Sequence, residues 1–387
     1  MRILIVLTYY RPHTSGLTIY VERLAKAFTA RGNDVTVYTT QFDKNTPIDE
    51  TVDGVHIIRT PVWFRLSKGV ICPEFGITAW KLVKDADVIH LHLPQFDAAG
   101  VALRGRLLNI PTVITYHCDL KMPPGLFNLA ANEAIHTANH LAGIFTNRFV
   151  TYTQDYADHS PYLKHYKDKA VIIQPPVVLP EGNADSARLF ADKFQVSSNK
   201  PVIAMAARFA AEKGVEVLLD AMPRILSEFP NAQVLFAGQY QNVLGEEAYA
   251  ERLFPRINQY IQEGHWKWLG VVEQADMAGF YQNLDVLTVP SLNSTESFGL
   301  VQIEAMMNGV PVVASDMPGV RQPVKMTGMG EIFPIGDSAG LGEQICKILR
   351  HRNDYHVDHD WLIHHFSPDT VAAEYEKLFK SLMQEQK

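Results

Sequence analysis

The chain has 387 residues, 47% of them apolar and 20% charged, with 24 Gly and 22 Pro; this composition excludes disordered, collagen-like and fibrous classes. At roughly 150 residues per domain, the length predicts two domains rather than one core. The net charge of −7 divides unevenly: residues 1–180 carry 18 Lys and Arg against 15 Asp and Glu, and the remainder 17 against 27, so even the basic half is far too weakly charged for nucleic-acid binding. Cys72, Cys118 and Cys346 are odd in number and widely spaced, which builds neither a disulfide framework nor a four-cysteine zinc site, and a reducing cytoplasm is the expected compartment. No apolar stretch approaches the roughly 18 residues of a membrane span, and the opening run Ile3 to Leu7 is shorter than the roughly 7 to 15 residues of a signal-peptide core. Neither anchoring nor export is expected.

Short apolar runs alternate with longer helix-period segments, the pattern of repeated βα units around parallel sheets, so the predicted class is α/β. In chain order, strands are predicted at residues 3–8, 35–40, 55–59, 88–93, 112–117, 143–147 and 170–173. Several are almost continuously apolar, as strands covered by helices on both faces are. The alternation stops at residues 174–180, where Pro175, Pro176 and Pro180 forbid helix and interrupt ladder hydrogen bonds. It restarts with strands at 202–206, 233–237, 266–269, 286–289, 311–314 and 330–333. The expected organisation is two Rossmann-like doubly wound domains, 1–174 and 181–367, joined by a linker at 175–180. A terminal helix at 368–387 is expected to pack back toward the first domain.

In doubly wound domains, ligands bind beyond the carboxyl ends of the strands, which makes the following loops the place to search and the cleft between domains the expected site. The first loop ends on Gly16, which admits a ligand close to the backbone at a helix start suited to an anion; the plain alternative is an ordinary βα turn. After the strand at 202–206, Arg208 and Lys213 precede Gly214 and a helix. Together they offer a planar fork and a point charge able to grip a diphosphate without a metal, although in isolation the segment also reads as a solvated loop. The strongest signal follows the strand at 286–289. Glu296 and Glu304 flank a helix start whose Phe298, Gly299 and Leu300 amides suit a phosphate, and an eight-residue helical separation spans roughly 12 Å at most. Two carboxylates so placed can engage the ends of a ligand that runs sugar, diphosphate, ribose. The alternative is a helix with a charge at its start and an exposed Glu304.

In their order and spacing, these pieces resemble the GT-B glycosyltransferases of the family 4 type over nearly the whole chain. The resemblance rests on Glu296 and Glu304 as a Glu-x7-Glu motif, on Arg208, Lys213 and Gly214 as a diphosphate loop, on the glycine loop at Gly16, and on the stretches 309–319 and 330–337. It implies a retaining, metal-independent and cofactor-free hexosyltransferase, with two domains facing across a cleft. A nucleotide sugar would be the donor, and a hydroxyl on a sugar, lipid or small molecule the acceptor. Glu304 would bind the ribose, Glu296 a sugar hydroxyl near the reaction centre, Arg208 and Lys213 the leaving diphosphate, and Gly16 the donor phosphate from the other domain. His117, which alone reads as a structural histidine, would lie beneath the transferred sugar, with Asp119 an acceptor contact. Ser15 and Ser297 depart from the family, standing where many members have glycine. Glu273 can accept from guanine N1 and N2, which tilts the donor toward GDP-mannose ahead of UDP-sugars. A nucleotide-sugar epimerase of the same architecture and a non-catalytic nucleotide-sugar binder are the alternatives.

Three further features are weighed. Asp85-Ala-Asp87 precedes a strand and so belongs to the edge away from the site, where a structural role is expected rather than metal binding. His356, His359, His364 and His365, with Asp358 and Asp360, lack a clear ligand register and read as a solvated surface rather than a zinc site. Residues 61–71, with Arg65 and Lys68, and the later Lys81 and Lys84 fit either a buried helix flanked by solvated cations or a peripheral membrane contact.

Overall fold

Short β-branched runs between amphipathic segments build two parallel sheets in the computed structural model, which describes residues 1–66, 69–120, 126–178, 183–197 and 200–386. The chain divides into Met1–Val177 with His364–Lys387 (unit 1) and Val178–Ile363 (unit 2). The outward crossing falls in the proline-rich segment, of which Leu179 and Pro180 lie outside the described residues. The return falls within the helix His359–Phe366. Inside unit 1, the Val177 N–H donates to the Phe366 carbonyl at 2.8 Å.

Unit 1 contains β1 (Arg2–Val6), β2 (Asp34–Thr40), β3 (Asp49–Val52), β4 (Val55–Thr60), β5 (Phe64–Leu66), β6 (Gly69–Ile71), β7 (Val88–Leu93), β8 (Thr112–Tyr116), β9 (Arg148–Thr151) and β10 (Ala170–Ile172). Among the described residues, eight of these form one sheet in the order β10-β9-β8-β7-β1-β2-β4-β3, and β5 pairs separately with β6. The pairing is parallel except at β3, which runs antiparallel to β4. One face, with Leu4, Val6, Ile89, Leu91 and Ile114, packs in an apolar core with Ala79, Val83, Val101 and Ala102 of the helices Phe75–Asp85 and Ala98–Leu108. The opposite face carries His90, His92 and Thr115 and meets Tyr20 of the helix Gly16–Ala30 and Tyr375 of the terminal helix Pro368–Glu385.

Unit 2 contains β11 (Val202–Ala206), β12 (Gln233–Ala237), β13 (Trp266–Gly270), β14 (Val286–Val289), β15 (Val312–Ser315) and β16 (Gly330–Phe333). They order β13-β12-β11-β14-β15-β16, and every pairing is parallel. That order is the doubly wound arrangement of dinucleotide-binding domains.

One predicted strand is corrected. Residues 143–147 end the helix Leu126–Phe145, and the strand begins at Arg148. The apolar run Leu141 to Phe145 serves a helix end, and short apolar runs do not distinguish helix from strand. Gly143 is small for packing reasons, since a Cβ there would lie 2.4 Å from the Tyr166 ring. The reading of residues 61–71 as a buried helix is corrected too: β5 and β6 form a hairpin, with Trp63 68% and Phe64 56% exposed. Ser67 and Lys68 lie outside the described residues.

Candidate functional site

Unit 2 concentrates charge where its strand order reverses. β11 and β14 are neighbours, and the chain continues from them toward opposite sheet edges, so the loops at their carboxyl ends diverge and leave room for a ligand. The loop after β11 carries Arg208 and Lys213 and closes on Gly214, whose φ is +70°. Only glycine fits there, because an added Cβ would sit 2.0 Å from the Pro290 carbonyl oxygen. This close approach, together with the Leu292 N–H donating to the Glu212 carbonyl at 2.9 Å, fastens the loop to the one after β14.

That second loop is turned by Asn293, whose side-chain oxygen accepts from the Thr295 N–H at 3.1 Å. The turn brings Glu296 to Lys213, with Lys213 Nζ 2.5 Å from Glu296 Oε2 and both side chains about four-fifths covered. Burial acts to lower the Lys213 pKa, but the charge of Glu296 and its hydrogen bond outweigh burial, so the pKa rises above the ordinary lysine value. Lys213 is therefore a fixed cation at neutral pH. Lys213, Ser291 and Glu296 line a small recess with Ala206, Ala207 and Pro290. Arg208 is exposed and pairs with Glu212 at 3.0 Å.

The helix Leu300–Met307 starts from Gly299, at a φ of +79°. Gln302 is wholly buried and donates to the Phe298 carbonyl at 2.7 Å and the Val320 carbonyl at 2.9 Å, which holds the helix start in place. Phe298 is buried as well. Glu304, half-buried on the second turn, accepts from the Tyr281 hydroxyl at 2.8 Å. Glu296 precedes the helix, so the spacing between the two glutamates is part loop and part helix. Glu273 is exposed at the head of the turn Gln274–Asp276 that follows β13.

In unit 1, Gly16 opens the helix Gly16–Ala30 after the loop from β1, beside the point where β1 and β7 set the reversal of strand order. Ser15 is the cap of that helix: it accepts from the Thr18 N–H at 3.2 Å, and the Thr18 hydroxyl takes the Ser15 N–H at 2.7 Å. The departure from a second family glycine is thus a helix cap. No atom lies within 4 Å of a Cβ added at Gly16, so packing of the protein itself does not demand glycine there.

His117 follows β8, is 8% exposed, and has both ring nitrogens engaged. Nε2 lies 2.9 Å from His92 Nδ1, and Nδ1 bonds the Tyr152 hydroxyl. Burial pushes its pKa down to about 3 and that of His90 to the same value. Both imidazoles are neutral at pH 7 and offer no positive charge to a phosphate. Asp119 spends its carboxylate inside unit 1, accepting from Tyr116 at 2.9 Å, Ser160 at 2.7 Å and Tyr156 at 3.0 Å. These bonds brace the segment after β8.

Asp87 accepts from the Arg2 N–H at 2.8 Å and pairs with the Arg2 guanidinium at 2.7 Å, at the amino ends of β1 and β7. Among the described residues, no three His, Cys, Asp or Glu side chains gather as metal ligands would, and His359 instead lies 2.9 Å from the Met307 carbonyl. Sequence reasoning missed Gln302, Tyr281 and the paired His90 and His92. An amide in the apolar run after Gly299 was the available signal for Gln302. For His90 and His92, it was two histidines at period 2 in an otherwise apolar strand.

Residues 14–179 match the family described as Glycosyltransferase Family 4, and residues 188–357 the family described as Glycosyl transferases group 1. A phosphatidyl-myo-inositol mannosyltransferase of Mycobacterium leprae (strain TN) is 27% identical over 358 residues, covering 90% of this chain and 88% of that protein. A D-inositol 3-phosphate glycosyltransferase of Jonesia denitrificans is 26% identical over 341 residues, covering 82% and 79%. Among solved structures, Anabaena HepE in complex with UDP superposes with a TM-score of 0.77 at 18% identity, covering 98% of this chain and 100% of that one.

Proposed function

Since the chain belongs to the GT-B glycosyltransferases of the family 4 type and is a hexosyltransferase, we propose that it moves a hexosyl group, with retention and without a metal, from a nucleotide sugar to a hydroxyl of a lipid-borne acceptor. The observation that carries this reading is the Lys213–Glu296 pair, held at the strand-order reversal of unit 2 by the close approach of Gly214 to Pro290. GDP-mannose is the favoured donor, ahead of UDP-sugars. This choice rests on Glu273, which can accept from guanine, and on the mannosyltransferase named among the relatives.

In this reading, the bond between the anomeric carbon and the diphosphate oxygen breaks as the acceptor oxygen adds on the same face. The acceptor proton passes to the departing phosphate. Negative charge grows on the diphosphate as this happens, and Lys213, Arg208 and the amides heading the helix Leu300–Met307 stabilise it. A preorganised donor in such a role is worth about 3 to 4 kcal/mol. Glu296 holds Lys213 and a hexose hydroxyl and need not become a nucleophile, while Glu304 takes the ribose.

A lipid-borne acceptor fits the outer surface of unit 1. Ile77, Trp80, Lys81 and Lys84 recur at i, i+3, i+4 and i+7 on the helix Phe75–Asp85, all exposed, and Leu103, Arg106 and Leu107 are exposed on the neighbouring helix Ala98–Leu108. Apolar side chains among cations are what an anionic bilayer surface binds. No helix among the described residues is long and apolar enough to cross a membrane, so this contact would be peripheral.

The test is nucleotide release from GDP-mannose and UDP-glucose in the presence of EDTA, with and without vesicles of phosphatidylinositol in phosphatidylcholine. Acceptor-dependent release is expected. Release that stops in EDTA would remove the metal-independent mechanism, and release without any acceptor would remove the transferase reading.

A further inference from the structure

A buried polar chain joins the terminal helix to His117. The Tyr375 hydroxyl lies 2.8 Å from that of Tyr20 and 2.6 Å from Thr115 Oγ1. Thr115 Oγ1 lies 2.7 Å from His90 Nε2, the His90 ring packs 4.3 Å from that of His92, and His92 Nδ1 meets His117 Nε2 at 2.9 Å. On the other branch, the Tyr20 ring stands edge-on to His117 at 5.0 Å and packs against Tyr152, which bonds His117 Nδ1. Tyr375, Tyr20, Thr115 and His90 are fully buried, and exposure is greatest at His117, the far end of the chain. The His117 ring is therefore bonded through both nitrogens and packed along an edge, and the path from the Tyr375 hydroxyl runs by hydrogen bonds to Tyr20 and through Thr115 to His90, then by ring packing from His90 to His92 and from Tyr20 to His117 and Tyr152.

We propose that Tyr375 is a positioning residue for His117, setting the height and tilt of the imidazole through Tyr20 on one side and Thr115, His90 and His92 on the other. The proposal rests on the reading of His117 as a group that acts on the transferred hexose. Lost hydroxyl partners in a dry interior are costly: removing the Tyr375 oxygen takes from the Tyr20 hydroxyl the one it meets at 2.8 Å and leaves Thr115 Oγ1 its bond to His90, which lets the chain relax. A small misplacement of a group at the reacting centre costs turnover far more than it costs substrate binding.

The test compares Tyr375→Phe, His117→Ala and the double variant in the intact chain, by nucleotide release from whichever of GDP-mannose and UDP-glucose turns over. Tyr375→Phe keeps the ring packed on Phe28, His90 and Phe379. Its kcat is expected to fall about tenfold, with the donor KM unchanged within about twofold. Circular dichroism and a thermal unfolding transition matching the parent's show that unit 1, which holds Tyr375 and His117, remains folded in the variant. In the His117→Ala background, the same substitution is expected to have no further effect. Full turnover by Tyr375→Phe, or an equal additional loss in the His117→Ala background, would overturn the positioning role. Full turnover by His117→Ala would instead remove the reading of His117 on which the proposal stands.

Discussion

The neutral histidines of unit 1 predict an acid-labile fold. In the unfolded chain, each histidine titrates near 6.5, whereas burial holds His90 and His117 down to about 3 and pushes His92 well below its ordinary value. A lowered folded pKa means that the unfolded state takes up protons first as pH falls. The stability from keeping these rings neutral is thus complete above pH 6.5 and is lost progressively between about 6.5 and 3. At pH 5, the gap of 1.5 units below the unfolded value costs about 2 kcal/mol per histidine, or about 4 kcal/mol for His90 and His117 together. His90→Gln removes one titrating ring while keeping a polar side chain beside Thr115. The variant should therefore lose about 2 kcal/mol less between pH 7 and pH 5 than the unmodified chain. For a unit of this size, that is a difference of roughly 4 to 8 °C in the Tm shift. Thermal unfolding of both proteins at the two pH values, at constant ionic strength, measures it. Identical pH dependence in the two would refute the claim that His90 is buried neutral.

Gly214→Ala places a methyl group 2.0 Å from the Pro290 carbonyl at a positive φ. It should separate the two loops, lowering stability by about 1 to 3 kcal/mol and nucleoside diphosphate affinity with it; calorimetry and thermal unfolding report both. Glu296→Gln keeps the shape but removes the charge that raises the Lys213 pKa. Turnover should fall by about two orders of magnitude and decline at lower alkaline pH than in the parent, which a pH profile of kcat checks.

The sheets and the loop carrying Arg208, Lys213 and Gly214 were legible because each depends on local pattern. Apolar runs at 202–206 and 286–289 became β11 and β14, and the Arg208, Lys213 and Gly214 spacing became a loop seated against Pro290. What escaped depends on partners distant in the chain. Tyr20 and Tyr375, whose hydroxyls meet, are 355 positions apart, and no periodicity announces such a pair. The bracing role of Asp119 escaped likewise, because nothing local announces that Tyr116, Tyr156 and Ser160 all turn toward it. The hairpin of β5 and β6 escaped for another reason: its large apolar side chains face solvent, and burial is what a sequence pattern encodes.

The claim on which the rest depends is that Lys213 holds the donor's diphosphate. Calorimetric titration of the intact chain and of Lys213→Met with GDP and GMP, and with UDP and UMP, tests it directly. If the account holds, the variant loses at least about tenfold in affinity for the diphosphate, as expected for a charge-assisted contact, and changes little toward the monophosphate. Equal affinity of both proteins for the diphosphate, or an equal loss toward both nucleotides, would contradict it.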